Sequence, residues 1–419
     1  MKQSLFHGKT SHAARLASAA HPGEDRGGRG NGGGMDFELS EEQILFRDQV
    51  AKLAGRELAE GALARAHAPG FPFDVAKLFA KHGLMGITIP EEDGGQGGAL
   101  MDAVLAIEQV ARACPRSADV VQAGNFGPIR TFAEYATPEQ KRRYLAKLLA
   151  GESVIGLGMT EAEAGSAVTD LRTSAAPDGD GFRVNGGKVF TSHSAEADVF
   201  LVYLRYGPGV EGIGSVILER GMAGFSFGEP SSYLNGERWC ALYFDDVYVP
   251  RENVLLGPGG FRKQIAGFNA ERIGNAARAL ALGRYAFDAA RAHALTRRQF
   301  GRPLCEFQGL QWKFADMRTR LESARLLLWR AATRADRGLP SAEDTAMAKL
   351  ACNEAGFFAA NEAVQVMGGT GFSQEALVEY CFRRTRGWQI AGGSLEMMRN
   401  RLAEIVFDRR FPQRPPKPG

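Results

Sequence analysis

The chain has 419 residues, of which 44% are apolar and 24% charged, with a formal net charge of +3. That length supports more than one packed unit, and the composition is that of an ordinary globular protein. No apolar run reaches the ~18 residues that a membrane-spanning helix requires, so membrane insertion is not expected. Residues 1–34 carry five Lys and Arg against two acids, which accounts for the whole of the +3. The rest is near neutral and offers nucleic acid no basic face. The five cysteines form no C-x-x-C pair and the seven histidines no H-E-x-x-H spacing, so neither a disulfide framework nor a metal site is expected.

Residues 1–34 are glycine-rich and nearly free of apolar periodicity, which reads as a disordered extension ahead of Met35. A basic, Ser-containing segment poor in acids also suits a transit peptide, but the run Gly27 to Gly34 is a poor amphipathic helix former and favours the extension. The expected location is therefore the cytoplasm, with an organelle matrix as the alternative if the segment is a transit signal.

Residues 35–155 predict a helical domain. Ser40-Glu41-Glu42-Gln43 is a capping box followed by Phe46, Val50, Leu53 and Ala54 at helical spacing. Thr137-Pro138-Glu139-Gln140 opens another helix, with Gly151 as its stop. Over residues 156–265 the period changes to two, in Phe182 and Val184, the run Val199 to Leu204, and Leu242, Phe244, Val247 and Val249. This predicts a mainly antiparallel β domain. Residues 266–411 are helical again in four long stretches with short breaks, a four-helix bundle, and residues 412–419 are a proline-rich tail. The expected fold class is thus α+β and multidomain: all-α, then antiparallel β, then a helical bundle.

Common nucleotide motifs are missing. Gly156-x-Gly158 is followed by Glu161 where a Rossmann fingerprint requires glycine, and no Walker A motif occurs. A different set of segments stands out. Gly156-Leu-Gly-Met-Thr-Glu-Ala-Glu-Ala-Gly-Ser166 lies at a helix-to-strand junction. It resembles the first signature of the acyl-CoA dehydrogenase family, close to T-E-P-x-A-G-S-D. Asn185-Gly-Gly-Lys-Val-Phe-Thr-Ser-His193 resembles its N-G-x-K-x-W-I-T-N strand, and Phe244-Asp-Asp-Val-Tyr-Val-Pro250 with Asn253 its F-x-D-V-x-V-P-x-x-N segment. Arg298-Gln-Phe-Gly301 with Gln308, and Gln365-Val-Met-Gly-Gly-Thr-Gly-Phe372, resemble the two family segments of the bundle. The five occur in family order from about Met35 to Phe411.

The resemblance implies non-covalently bound FAD. Met159, Thr160, Thr191 and Ser192 would lie along the isoalloxazine, with Phe190 packed on it. Ser166 would serve the pyrophosphate or the thioester-bearing substrate. Arg298, Gln308, Gln365, Gly368 and Gly369 would reach the FAD of a neighbouring subunit, implying a homodimer or homotetramer, with Ser394 and Glu396 also at the cofactor. The types suit the need: a flavin requires a flat partner, donors near its reducible edge, and a guanidinium or free amides at its pyrophosphate. The implied reaction is α,β-desaturation of an acyl-CoA to a trans-2-enoyl-CoA, with electrons passed to an electron-transfer flavoprotein.

Most family members carry the base as glutamate in I-Y-E-G-T near the C-terminus. Here the stretch is Ile390-Ala-Gly-Gly-Ser394, with Gly392 at the glutamate position. Asn269-Ala-Glu-Arg272 instead resembles isovaleryl-CoA and long-chain acyl-CoA dehydrogenases, whose base comes from the first helix of the bundle. Glu271 is therefore the expected base, pointing into space vacated at Gly392. Arg272 is expected near the substrate entrance, and the backbone N–H groups of Gly392 and Gly393 at the thioester carbonyl. Further departures are Ala162 for Pro, Ala167 for Asp, and a short loop Asn235–Cys240. Two other readings share these motifs. One is a same-fold flavin monooxygenase or oxidase. The other is an FAD-sharing, non-catalytic subunit of a hetero-oligomer, which Gly392 motivates and Glu271 opposes.

Overall fold

The computed structural model describes residues 38–336 and 341–414. The N-terminal extension, the start at Met35, the break at 338–340 and the end of the tail lie outside the described residues.

Seven helices come first: α1 (Glu41–Glu57), α2 (Ala62–His67), α3 (Phe73–Lys81), α4 (Leu100–Ala113), α5 (Ala118–Asn125), α6 (Pro128–Tyr135) and α7 (Pro138–Leu149). Both capping boxes form. Ser40 Oγ accepts from the Gln43 amide while the Gln43 side chain accepts from the Ser40 amide, and Thr137 and Gln140 do the same. Each box supplies partners to orphan helix-start donors, which is why these boundaries are legible in the sequence.

The middle strands are β1 (Ile155–Gly158), β2 (Ser174–Asp178), β3 (Gly181–Lys188), β4 (Val199–Arg205), β5 (Ile213–Glu219), β6 (Phe225–Phe227), β7 (Ser231–Ser232), β8 (Arg238–Trp239), β9 (Leu242–Pro250) and β10 (Val254–Leu256). The main sheet is eight-stranded, ordered β10-β5-β4-β2-β3-β9-β6 with β1 also on β4. Most pairings are antiparallel, but β4 runs parallel to both β1 and β2. The unbroken apolar run of β4 follows from its position. Phe200, Val202 and Leu204 enter one buried cluster and Val199, Leu201 and Tyr203 another, so neither face meets water. In β9 the step from Phe244 to Val247 breaks strict alternation. Asp246 takes φ +53 there and the register against β3 shifts between Val184 and Gly186, a bulge that returns Val247 and Val249 to the core.

The third region holds α8 (Phe261–Thr296), a small hairpin of β11 (Arg298–Gln299) and β12 (Arg302–Pro303), then α9 (Gln308–Ala335), α10 (Ala342–Met367), α11 (Gly369–Phe372), α12 (Leu377–Trp388) and α13 (Leu395–Val406). The fourth predicted helical stretch is thus divided into α12 and α13, because Gly392 and Gly393 take φ +72 and +89 and turn the chain. Helices α8 and α10 cross backbone to backbone. A Cβ at Gly283 would lie 2.6 Å from Gly356 Cα, and one at Gly356 would lie 2.2 Å from Ala279 O. That approach locks the two helices that carry Glu271 and the residues behind the glycine turn.

Candidate active site

Two stretches of the β domain meet to form an open wall. The Val189 amide donates to Thr160 O at 2.9 Å, and Leu157 bridges to Ser192. Glu161 braces the loop between them: it accepts from the Arg172 and Thr173 amides at 2.6 and 3.0 Å and pairs with the buried Lys188 at 2.7 Å. Burial lowers the Lys188 pKa to about 8 against the pull of Glu161. The Lys188 ammonium also donates to Met159 O at 3.3 Å. Sequence reading passed over Glu161 and Lys188, although both stand inside the quoted motifs.

Phe190 lies at φ +55 and His193 at φ +57, two non-glycine residues in the left-handed region within one turn. The turn leaves Phe190 55% exposed, with its ring centroid 4.6 Å from that of Trp239. Trp239 is delivered by the short β7–β8 hairpin, which Ser194 ties to this turn. Its hydroxyl accepts from the Cys240 amide at 2.6 Å. Ser192 is exposed, Met159 and Thr160 are half-buried, and Ser166 is exposed on the neighbouring loop. Thr191 is fully buried, and its hydroxyl has no partner among the described residues, so it belongs to the back of this wall.

Glu271 sits on α8, facing the turn between α5 and α6. Gln122 Nε2 donates to Glu271 Oε2 at 2.6 Å, and Arg278 Nη2 lies 4.0 Å from Oε1. Gly127 permits this placement, because a Cβ there would stand 2.8 Å from the carboxylate and the φ is +66. Glu271 lines a small cavity with Thr131, Leu157, Tyr203 and Phe268. Burial raises its pKa above the ordinary carboxylate value, opposed by Arg278, Lys349, the Gln122 hydrogen bond and Arg272. Behind it lies a buried ionic cluster. Asp119 pairs with Arg278 at 3.1 Å and Arg384 at 2.9 Å, while Glu237 pairs with Arg116 at 2.8 Å and with Arg384. No motif in the sequence announced Gln122 or this cluster.

Gly392 and the Glu271 carboxylate share Lys349 and Arg272 as cationic neighbours. A Cβ at Gly392 would meet Lys349 Nζ at 3.5 Å and Asn275 Nδ2 at 3.8 Å, while the Glu271 carboxylate is drawn by Gln122 toward the α5–α6 turn. What links the two places is Arg272, whose Nε donates to Gly392 O at 3.2 Å. Ser394 caps α13, accepting from the Met397 amide at 3.4 Å, and Glu396 is exposed in its first turn.

The remaining candidates stand apart. Arg298 is exposed on the β11–β12 hairpin and donates to Gly301 O at 2.6 Å. Gln308, Gln365, Gly368 and Gly369 are also exposed, and a Cβ at either glycine would touch nothing within 4 Å. Among the described residues no hydrogen bond or ion pair joins them to the Thr160–Ser192 wall.

Three family descriptions match successive parts of the chain: the acyl-CoA dehydrogenase N-terminal domain at residues 40–152, its middle domain at 156–247 and its C-terminal domain at 258–407. The chain belongs to the acyl-CoA dehydrogenase family. Within that family it is 34% identical over 378 residues to a short-chain-specific acyl-CoA dehydrogenase of Clostridium acetobutylicum, spanning 89% of this chain and 100% of the relative. The structure of butyryl-CoA dehydrogenase from Megasphaera elsdenii superposes with a TM-score of 0.83 at 30% identity, over 89% of this chain and 100% of that one. A chain in a structure described as the electron transferring flavoprotein of Acidaminococcus fermentans gives 0.83 at 33% identity, over 89% and 99%.

A flavin suits the wall described above. An exposed aromatic ring beside a second, with an exposed Ser192 hydroxyl and the half-buried Thr160 next to it, offers a flat ligand both a stacking face and polar contacts.

Proposed function

We propose that the chain is an FAD-dependent acyl-CoA dehydrogenase that desaturates an acyl-CoA between its α and β carbons and passes the electrons to an electron-transfer flavoprotein. The observation that carries this reading is Glu271: a partly buried carboxylate with raised pKa, hydrogen-bonded by Gln122, facing a cavity that Leu157 connects to Ser192. Proton removal from the α carbon of a thioester requires a base of this kind. Its placement on α8 resembles that in isovaleryl-CoA and long-chain acyl-CoA dehydrogenases.

In this reading FAD, when bound, supplies the acceptor for the β-hydride. Phe190 would pack on the flavin, and Met159, Thr160 and Ser192 would help to hold it. The amides of Gly392 and Gly393 hold the thioester carbonyl, where charge develops as the α-proton leaves. Glu271 takes that proton. Arg272 fixes the glycine turn through Gly392 O, and Ser166 serves the CoA or pyrophosphate side. Arg298, Gln308, Gln365, Gly368 and Gly369 complete the FAD site of another copy of this chain, with Ser394 and Glu396 flanking the turn. Phe300, Phe372 and Trp312 are 93%, 79% and 63% exposed on this same bundle, which supports a homo-oligomer that covers them.

Anaerobic titration of the yellow protein with a panel of acyl-CoAs tests the reading. Bleaching of the flavin by at least one member is expected, and its absence with all of them overturns the proposal. Rapid oxygen consumption by the reduced protein would turn the reading toward an oxidase.

A further inference from the structure

Lys349 on α10 is fully buried, with 0% exposure. Among the described residues, the buried cations Arg116, Lys188, Arg278 and Arg384 each have a carboxylate within 4.0 Å, and Lys349 alone has none. Its ammonium donates instead to two backbone carbonyls, Trp388 O at 3.3 Å and Ala391 O. An ammonium without a counter-ion costs several kcal/mol to bury, so its retention in an otherwise alanine-rich helix calls for a compensating role.

The partners identify that role. One carbonyl ends α12 and the other lies in the turn between α12 and α13. Asn353 Nδ2 also donates to Trp388 O at 2.8 Å, and Arg272 Nε holds Gly392 O at 3.2 Å. The carbonyls of Trp388, Ala391 and Gly392 are therefore all tied back into the bundle. The amides of Gly392 and Gly393 donate to nothing among the described residues, and both glycines hold positive φ. A turn with tethered carbonyls and free successive amides is a preformed anion site. Lys349 is adjacent to it, 3.5 Å from where a Gly392 side chain would begin.

We propose that Lys349 is a positioning residue for the thioester carbonyl: it clamps the Trp388–Gly393 turn so that the two glycine amides point at the carbonyl oxygen, and its unpaired charge favours the enolate formed when the α-proton leaves. This rests on the acyl-CoA dehydrogenase reading. The balance is simple. The α C–H bond breaks, its proton moves to the Glu271 carboxylate, the electron pair delocalises onto the thioester oxygen, and nothing is oxidised in that step. The charge count also fits, because Glu271 becomes neutral as the substrate becomes anionic, leaving the Lys349 ammonium to face the new charge. Burial together with Arg272 and Arg278 brings the Lys349 pKa down to about 7, against the pull of Glu271, as expected of a cation with no counter-ion in the resting site.

The test uses the flavin-loaded protein and 3-thiabutyryl-CoA. Sulfur stands at the β position of this probe, so no β-hydride can leave and the chemistry stops at the α-deprotonated thioester, which gives a long-wavelength charge-transfer band against oxidised flavin. Lys349→Met is expected to bind the probe yet lose the band at least about tenfold, and to lower kcat about 10- to 100-fold with KM changed less than about threefold. Lys349→Arg, which keeps charge and donors, should restore much of the band. Should Lys349→Met not accumulate as a flavoprotein, Lys349→Gln carries the same expectation, since its amide can donate one hydrogen bond but brings no charge. A wild-type band in the Met or Gln variant overturns the role of Lys349 alone. A wild-type protein that binds the probe but never forms the band overturns the dehydrogenation reading, and Lys349 with it; where this probe does not bind, the 3-thia analogue of the acyl-CoA that best bleaches the flavin takes its place.

Discussion

The wall at Thr160, Phe190 and Ser192 and the interior around Glu271 are built on opposite plans. The wall comes from two short segments, is open, and displays an aromatic ring in a left-handed turn. The interior draws Gln122, Glu271, Arg278, Lys349 and Arg384 from α5, α8, α10 and α12, is mostly enclosed, and sets its charged groups against one another, against Gln122 or against backbone carbonyls. The difference shows where each half stores its precision. The wall depends on local backbone conformation and on what later covers it. The interior depends on helices locked together, as at Gly283 and Gly356. Substitutions in the wall should therefore change cofactor affinity, and substitutions in the interior should change chemistry or folding.

The sharpest way to separate the two is to neutralise the base without altering its shape. Glu271→Gln should keep the flavin spectrum while lowering kcat/KM by about 10²- to 10⁴-fold, because it removes proton abstraction and leaves the wall alone. Anaerobic stopped-flow bleaching measures this directly, and unchanged turnover would remove Glu271 from the role. Next in size is the ionic cluster. Asp119→Ala would leave Arg278 and Arg384 without a shared carboxylate inside the protein, at a cost of about 3–5 kcal/mol in unfolding free energy. A urea titration reads it, and a loss within 1 kcal/mol would mean that the remaining partners or water compensate.

On the other side of the comparison, Phe190→Ala should leave stability nearly unchanged, since more than half of its surface is already exposed. It should instead weaken flavin binding by about tenfold, the equivalent of one aromatic contact. Fluorescence titration of the apoprotein with FAD measures it. If flavin affinity were untouched, the stacking face would have to be sought at Trp239 or at Tyr233, whose ring stacks on that of Trp239 at 6.0 Å between centroids.

The two halves were also unequally legible in the sequence. The helical and strand regions could be read because capping boxes, period changes and the run Val199–Leu204 are local signals, and the structure places each in an element. The wall was legible for the same reason, since Thr160 and the segment Lys188–Ser192 are contiguous motifs. The interior was only half legible. Glu271 could be singled out beside Arg272, yet Gln122 lies 149 positions away and carries no motif. The carboxylate is held by Gln122 and lodged against Gly127, and the residues around Glu271 in the sequence announce neither. Lys349 did leave a trace, a lone cation within Ala346-Met-Ala-Lys-Leu-Ala351, which helical periodicity alone does not distinguish from a solvated position.

The smallest effect, and the one that joins the two regions, concerns His193. It ends the turn that carries Phe190, packs edge-on to Phe71 with centroids 5.0 Å apart, and lies within reach of the field of Glu237, Arg116 and Arg384. Burial, aided by the two arginines and opposed by Glu237, depresses its pKa to about 4. The folded state thus holds His193 neutral at pH values where an unfolded chain would protonate it. A depressed folded value means that the unfolded state binds more protons between roughly pH 6.5 and 4, so this contribution to stability is complete above pH 6.5 and is lost as the pH falls through that window. The expected loss between pH 7 and pH 5.5 is about 1 kcal/mol, a Tm decrease of a few degrees beyond that of His193→Gln, which has no ring to protonate. Parallel Tm profiles for the two proteins would show that the His193 imidazole titrates alike folded and unfolded, and the turn would then contribute nothing to the pH dependence. Converging profiles at high pH and diverging ones in acid would show that the folded turn holds the His193 imidazole neutral, with burial as the leading cause.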